Sequence, residues 1–164
     1  MARFAVLWLL AIALFGCTVR EKLSSGGGTA SGTPEATAEQ FASNMANKSY
    51  GDAYALTSKD WQKKWTEEGT RAFFEVLARG YEKKIGKPLE VDKIDVKKGD
   101  LPKDPLEARE RFGVTTEPPF KSWKAWVNAE LRTKDGQTAA VFPMLIVEEG
   151  GTHKVAFVAF KSRY

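Results

Sequence analysis

The sequence has very little of the chemistry from which metal and redox sites are built. Its 164 residues include one cysteine and one histidine. A single cysteine excludes an intramolecular disulfide bond, and one cysteine with one histidine excludes the usual ligand sets of structural zinc sites. Lys and Arg outnumber Asp and Glu by only 25 to 21, an excess too small to indicate a nucleic-acid-binding surface. We therefore expect no metal, no cofactor and no nucleic-acid partner.

Long hydrophobic runs are also absent, apart from one at the amino terminus. Residues 4–15 form an unbroken apolar run of 12 residues after Arg3. A bilayer-spanning helix needs about 20 apolar residues, so this run is typical of a cleaved signal peptide, here residues 1–16. The whole chain, with 43% hydrophobic and 28% charged residues, has the composition of one globular domain.

The sole cysteine lies directly after this apolar run, in the segment Leu14-Phe15-Gly16-Cys17. The segment resembles the lipobox of bacterial lipoproteins, with Leu three positions before the cysteine and Gly immediately before it. That resemblance implies cleavage before Cys17, attachment of a diacylglycerol to its sulfur, and acylation of the new amino terminus by a fatty acid such as palmitate. It also implies a location on the extracytoplasmic face of a bacterial cell membrane or outer membrane. The alternatives are an ordinary signal peptide or an uncleaved amino-terminal helix, with Cys17 as a free thiol.

Residues 17–32 are rich in Gly, Ser and Thr and lack the apolar side chains that pack into a core. Roughly 15 residues of such a coil have an end-to-end distance on the order of 20 Å. We interpret this segment as a flexible linker that holds a single domain, residues 33–164, close to the membrane.

Capping signals and apolar spacing predict three helices at the start of the domain. Thr33 is expected to cap the first, because a threonine before a proline at the first helical position is a typical helix start. Residues 50–56 form a short second helix. Ser58 caps a third, on which Trp61 and Trp65 share one face at a spacing of four residues.

The longest predicted helix follows these three. Thr70 is its expected cap, and Gly86 before Pro88 is its expected left-handed end. Its apolar stripe includes Phe74 and Tyr81, which recur at helical spacing and so face the core.

After the longest helix the apolar spacing becomes alternating. The apolar residues Leu89 and Val91 stand at odd positions, whereas the apolar residues Ile94 and Val96 stand at even positions. We therefore expect one strand with a β-bulge near residues 92–93, because a bulge shifts side chains to the opposite face.

Residues 97–119 are interpreted as an insertion that contains a short helix capped by Asp104. Residues 120–132 then alternate as a half-buried strand. This pattern places Trp123 on the apolar face and Trp126 on the opposite face, among polar residues.

Two turn signals, Asp135-Gly136 and Gly150-Gly151, divide the rest of the chain into two more strands. The last three strands are therefore expected to form an antiparallel meander. Pro143 has no N–H to donate, so it is expected at a bulge or where its strand is unpaired. The sequence thus predicts an α+β fold, with amino-terminal helices packed on a curved antiparallel sheet of about four strands.

This element order and the segment FASNMANKSYGDAYALTSKDW resemble the nuclear transport factor two-like superfamily, also called cystatin-like or ketosteroid-isomerase-like. The resemblance covers about residues 34–161. It implies a cone-shaped fold with a pocket between the long helix and the concave face of the sheet. The superfamily includes isomerases, dehydratases and non-catalytic modules of envelope lipoproteins, so the fold does not decide the function.

Aromatic residues are the candidates to line this pocket or to contact a partner, which would be a small apolar ligand or an envelope protein. They are Trp61, Trp65, Phe74, Tyr81, Trp123 and Trp126. The competing interpretation is that the tryptophans fill the core between helices and sheet. Trp126 is either covered by a helix or presented to a partner, because it shares its strand face with polar residues.

Candidates for catalysis are few. His153 follows a turn, where exposure is expected, and Asp52 and Asp60 lie at helix starts, where capping explains them. Tyr54 and Tyr81 are expected in the core with the hydroxyl at its rim.

We therefore predict a membrane-anchored lipoprotein with a non-catalytic ligand- or protein-binding domain. One alternative is a small isomerase or dehydratase, which needs a buried titratable group in the pocket. The other is a structural spacer in an envelope assembly, which predicts an exposed apolar patch around Trp126.

Overall fold

Within the residues that the structure describes, four helices precede the first strand, and a fifth helix lies between the first and second strands. The computed structural model describes residues 32–88, 90–112 and 120–159, so the predictions for residues 1–31, including Cys17, lie outside the described residues. The helices are α1 (Pro34–Ala46), α2 (Tyr50–Ala55), α3 (Lys59–Lys64), α4 (Glu67–Ile85) and α5 (Pro105–Phe112). The strands are β1 (Lys93–Gly99), β2 (Trp123–Arg132), β3 (Thr138–Glu149) and β4 (Thr152–Val158).

The strands form one sheet in the order β1-β2-β3-β4, and each pairs antiparallel with the next. The predicted α+β class, with amino-terminal helices followed by a four-strand antiparallel sheet, is confirmed. Both predicted turns are also present, and Gly150 and Gly151 have φ values of 58° and 79°. Positive φ at two consecutive residues matches the right-handed twist of the strands that such a turn joins, which is why glycine is favoured there.

The predicted caps are correct for α1 and α3 and wrong for α4. Thr33 Oγ1 accepts a hydrogen bond from the Ala36 N–H at 3.1 Å. In α4 it is Thr66 that caps the helix, accepting from the Gly69 N–H at 3.1 Å, whereas Thr70 is buried. The helix begins one turn earlier than predicted, and this start places two glutamates in its first turn, where they stabilise the positive end of the helix dipole.

Within β1, pairing runs without a shift from Lys93 opposite Arg132 to Gly99 opposite Trp126. At the position of the predicted bulge, the Asp92 N–H donates to the carbonyl of Arg132 at 2.8 Å, and Lys93 lies opposite the same residue. Val91, before the strand, packs against the same apolar core as Ile94 and Val96, in agreement with the predicted change of face. Leu89 lies outside the described residues.

A bulge does occur in β2, where the register shifts between Trp123 and Ala125. An extra residue moves a side chain to the opposite face of the sheet. Trp123 therefore packs beside Trp126, and the prediction that these two tryptophans lie on opposite faces is wrong.

Each face of the sheet has its own apolar core. The first, which we call the inner cluster, joins α1, α2 and α4 to one face, and Phe41, Phe74 and Phe142 are among its buried members. The second, which we call the outer cluster, lies on the opposite face beneath α5. Its buried members are Ala108, Trp123, Trp126, Leu145, Val147, Ala156 and Ala159.

Pro143 lies opposite Asn128 of β2 and just beyond the end of the β3–β4 pairing, which starts at Met144. Its carbonyl accepts from the Ala159 N–H at 2.7 Å. A strand residue directs its N and its carbonyl to the same side, so the missing N–H of Pro143 faces Ala159, the residue that follows β4, and interrupts no bond between β2 and β3.

In the described part of the chain, none of the helices has the length and apolar character needed to span a membrane.

Candidate functional site

Phe74 is the centre of the aromatic packing in the inner cluster. It is fully buried, and its ring meets that of Phe41 edge-on with 5.4 Å between centroids. The rings of Tyr50, Trp61 and Phe73 lie 6.4, 6.1 and 5.9 Å from it. Edge-to-face and tilted pairs at such distances stabilise a core beyond the area they bury. Two of the candidate residues, Trp61 and Phe74, therefore lie side by side, packed against each other.

The position of Trp61 is set by a short attachment to the sheet edge. The Ser58 N–H donates to the Val155 carbonyl, and the Val155 N–H donates to the Leu56 carbonyl, both at 2.9 Å. These bonds tie the start of α3 to β4, and the indole Nε1 of Trp61 then donates to Thr70 Oγ1 at 3.1 Å. The polar atom of this partly buried indole is therefore used inside the protein.

Trp65 does not share a helix face with Trp61, so that prediction is wrong. Helix α3 ends at Lys64, and Trp65 has extended backbone angles of φ −127° and ψ 127°. Its side chain is 50% exposed and stacks on the ring of Phe73, with 6.3 Å between centroids. The spacing of four residues brings side chains together only while the helix continues, and here it does not.

Tyr81 lies at the other end of α4, over strand β3. Its ring is edge-on to Phe142 at 5.8 Å, and its hydroxyl donates to the Val141 carbonyl at 3.3 Å. Burial raises the pKa of Tyr81 above its ordinary value of 10.0, and burial is also the main cause of a raised pKa at Tyr50. Both hydroxyls are therefore protonated at neutral pH and can donate a hydrogen bond but cannot act as a base.

Trp123 and Trp126 are buried in the outer cluster, with exposed fractions of 6% and 2%. Ala108 of α5 is a buried member of the same cluster. Gly99 lies opposite Trp126 in the register, and a β-carbon at Gly99 would lie 3.0 Å from Trp126 Cδ1. This contact is tighter than an ordinary van der Waals contact, so a larger residue at Gly99 would require the Trp126 side chain to move by a few tenths of an ångström. The expectation of an exposed apolar patch around Trp126 is therefore wrong, because the insertion folds over it.

Charged residues on β1 and β2 form a cross-strand network. Asp95 accepts from Arg132 Nε at 2.6 Å and pairs with Lys93 at 2.5 Å. Arg132 also pairs with Glu130, which lies 3.6 Å from Lys97. Hydrogen bonds from Lys93 and then Arg132 hold the pKa of Asp95 below its ordinary value. The network joins the edge strand β1 to its neighbour.

The other catalytic candidates are not in the core. His153 is half-buried on β4, opposite Glu148 of β3. Asp52 is exposed in the first turn of α2, and Asp60 forms an ion pair with Lys63 at 3.5 Å. None of these three candidates is buried.

The buried polar side chains of the described residues are mostly hydroxyls. They are Thr37, Asn44, Thr57, Ser58, Thr70 and Thr133. Among the residues described, Asn44 Nδ2 is the one buried side-chain nitrogen or oxygen atom without a hydrogen-bond partner, and the sequence analysis did not single it out. Within the same residues, no group of three or more His, Cys, Asp or Glu side chains is placed to hold a metal ion.

An exposed apolar surface on α4 was also missed. Val76 is 60% exposed and lies three residues after Phe73, on the side of α4 away from Phe74. The signal was present in the sequence, because Phe73 and Val76 have helical spacing on the arc outside the predicted apolar stripe.

The six predicted aromatic residues thus do not converge on one site. Trp61, Phe74 and Tyr81 belong to the inner cluster, Trp123 and Trp126 belong to the outer cluster, and Trp65 lies on the surface. Comparison of the chain with protein-family models, with curated proteins and with solved structures found no match. A function must therefore be inferred from the residues themselves.

Proposed function

We propose that the protein is a membrane-anchored lipoprotein of the bacterial envelope, whose domain binds a ligand or a partner protein without catalysing a reaction. One observation carries this proposal. The sole cysteine, Cys17, follows the apolar run of residues 4–15 immediately and precedes a Gly/Ser/Thr-rich segment that ends where α1 begins, at Pro34.

The order of these features is the order that an anchored domain requires. A leader directs export, a thiol receives lipid, a flexible segment gives reach, and a folded domain follows. Each buried methylene of an acyl chain contributes about 0.8 kcal/mol, so two or three chains hold a protein on a membrane stably where one chain does not.

The polar atoms of the inner cluster support a non-catalytic domain. The indole of Trp61 donates to Thr70, and the hydroxyl of Tyr81 donates to the Val141 carbonyl. Among the described residues, the buried polar side chains include no carboxylate and no histidine. An isomerase or dehydratase of the superfamily that the sequence resembles would need a buried carboxylate or a His/Asp pair as its general base, which makes the enzymatic alternative the weaker one.

The element order also supports membership of the nuclear transport factor two-like superfamily as part of the proposal. Helices α1 to α4 precede a four-strand antiparallel meander, and the longest helix comes last among them. Binding modules of that superfamily on envelope lipoproteins agree with the proposed role.

The anchor is tested by replacing the thiol. In the native host, or in a bacterium with a lipoprotein pathway, Cys17→Ser is expected to lose the acyl mass at the mature amino terminus and to leave the lipidated membrane fraction. Ser25→Ala, in the same linker, is the matched control and should remain acylated and membrane-bound. Mass spectrometry of the amino terminus is the measurement. A wild-type chain that begins at any residue other than an acylated Cys17 would disprove the proposal.

A further inference from the structure

Two exposed apolar side chains and a third that is partly buried form a surface from the segment before α4 to the middle of that helix. Trp65 is 50% exposed and Val76 is 60% exposed. Phe73 connects them, because it stacks on Trp65 with ring planes 26° apart and lies three residues before Val76 on the same helix face. We call Trp65, Phe73 and Val76 the outer α4 patch.

The patch is held in place by the backbone around it. The Trp65 N–H donates to the Trp61 carbonyl at 3.0 Å, and the Trp65 carbonyl accepts from the Tyr54 hydroxyl at 3.2 Å. At the start of α3, the Lys59 N–H donates to both carboxylate oxygens of Glu149 at 3.1 Å. The exposed indole therefore extends from a segment that is bonded on both sides, so little ordering is needed when it binds a surface.

The arc of α4 that carries this patch has basic side chains and no acidic ones. At 3.6 residues per turn, the arc of about 120° that carries Ala72, Phe73 and Val76 also carries Lys83 and Lys84. The other arc carries charges of both signs: Glu67, Glu68, Arg71, Glu75, Arg79 and Glu82.

An apolar arc bordered by lysines fits the interfacial zone of a bilayer. The indole of tryptophan prefers the level of the lipid head groups, because its apolar ring can contact the acyl chains while its N–H contacts water or the head groups. Lysine can lay its alkyl stem over the apolar surface and direct its ammonium group to a phosphate. Exposed Lys64 immediately precedes Trp65 and adds one more lysine beside the patch, whereas Lys63 pairs with Asp60 at 3.5 Å.

We propose that the outer α4 patch seats the domain on the bilayer to which the chain is anchored, with Trp65 at head-group depth. This inference rests on the proposed function, because the anchor and the linker of residues 17–32 keep the domain within roughly 20 Å of the lipid. At that distance binding is intramolecular, and a small patch with weak affinity suffices to hold the domain down.

The test uses quenching of tryptophan emission by brominated lipid. The full chain is purified from membranes in detergent and reconstituted into vesicles of phosphatidylcholine and phosphatidylglycerol, with and without 6,7-dibromo-phosphatidylcholine. We expect the brominated lipid to quench part of the wild-type emission. Trp65→Phe should lose that part of the quenching, and Val76→Glu should reduce it several-fold with an unchanged far-UV circular dichroism spectrum.

Leu106→Glu is the matched control. Leu106 is 63% exposed and Val76 is 60% exposed. Leu106 lies on α5, however, which covers the opposite face of the sheet. Its quenching should equal that of the wild type. Equal quenching in wild type and Trp65→Phe would overturn the inference, and so would a detergent-solubilised dimer that Val76→Glu dissociates, because the patch would then bind a second copy.

Vesicle flotation separates the two proposals. A chain that floats with the vesicles but shows no quenching overturns the seating of the domain and leaves the anchor intact. A wild-type chain that does not float overturns the anchored lipoprotein, and the seating of the domain with it.

Discussion

At the scale of single residues, the amphipathic aromatic side chains use their polar atoms for structure. The indole of Trp61 donates to Thr70, and the hydroxyl of Tyr81 donates to the Val141 carbonyl. The hydroxyl of Tyr54 donates to the Trp65 carbonyl. A buried polar atom without a partner costs free energy, so these bonds are what allow the rings to be buried.

Tyr81→Phe is expected to lower the free energy of unfolding by about 1 kcal/mol at pH 7, the usual contribution of one hydrogen bond. Burial raises the pKa of Tyr81, so its protonated form is favoured in the folded state. Its contribution is complete below the ordinary tyrosine pKa of 10.0 and is lost as the pH rises towards the higher folded value. The difference between wild type and variant should therefore shrink above pH 10, as measured by urea denaturation at pH 7 and at pH 10.5.

Tyr54→Phe is the control for this prediction, because it retains the Tyr81 hydroxyl and with it the alkaline loss of stability. The prediction for Tyr81→Phe would be contradicted if the stabilities of the wild type and of this variant declined in parallel above pH 10.

At the scale of elements, α4 shows how capping decides where a helix begins. Two threonines four residues apart could cap it, and Thr66 does so while Thr70 is buried beneath Trp61. The other end agrees with the sequence pattern, since Gly86 has a φ of 72°, a conformation in which a β-carbon would be strained. A cap can be recognised from residue type, but the choice between two equivalent caps depends on what the rest of the protein needs to bury.

Thr66→Ala should destabilise the protein by about 1 kcal/mol, because the Gly69 N–H loses its acceptor. Thr66→Ser and Thr66→Asp retain a cap oxygen and should stay close to the wild type. Thermal unfolding followed by circular dichroism at one pH measures all three. A Thr66→Ser variant as unstable as Thr66→Ala would show that the methyl group, and not the cap, carries the effect.

At the scale of the whole molecule, one sheet joins two apolar cores. The inner cluster lies under the helices, and the outer cluster lies under α5 on the opposite face. Strand β3 contributes to both, since Phe142 and Ile146 belong to the inner cluster while Leu145 and Val147 belong to the outer one. The two cores should therefore be lost together when the domain unfolds, as is usual for a single domain of this size.

Trp126→Ala is expected to destabilise the protein by about 3–5 kcal/mol, the usual cost of removing a large buried aromatic side chain. Because the cores share the sheet, transitions followed by tryptophan fluorescence and by far-UV circular dichroism should coincide in the wild type and shift together in the variant. Leu106→Ala, on the exposed side of α5, should change stability by about 0.5 kcal/mol or less. A fluorescence transition that shifts alone would show that the outer layer unfolds separately.

The features that depend on neighbours in the chain were predictable from the sequence. The α+β class, the order of helices and strands, the glycine turns and the cap of α1 all follow from caps, turn residues and the change of apolar period. These signals work because helix ends and tight turns are satisfied by atoms a few residues away.

Which surfaces are buried was decided only by the tertiary structure. A bulge in β2 moves Trp123 to the face of Trp126, the early end of α3 leaves Trp65 on the surface, and α5 covers Trp126. The candidate site dispersed for the same reason, because strand register and the covering of a face depend on segments distant in sequence. Residue spacing determines which side chains share a face, but it carries no information about what packs on that face.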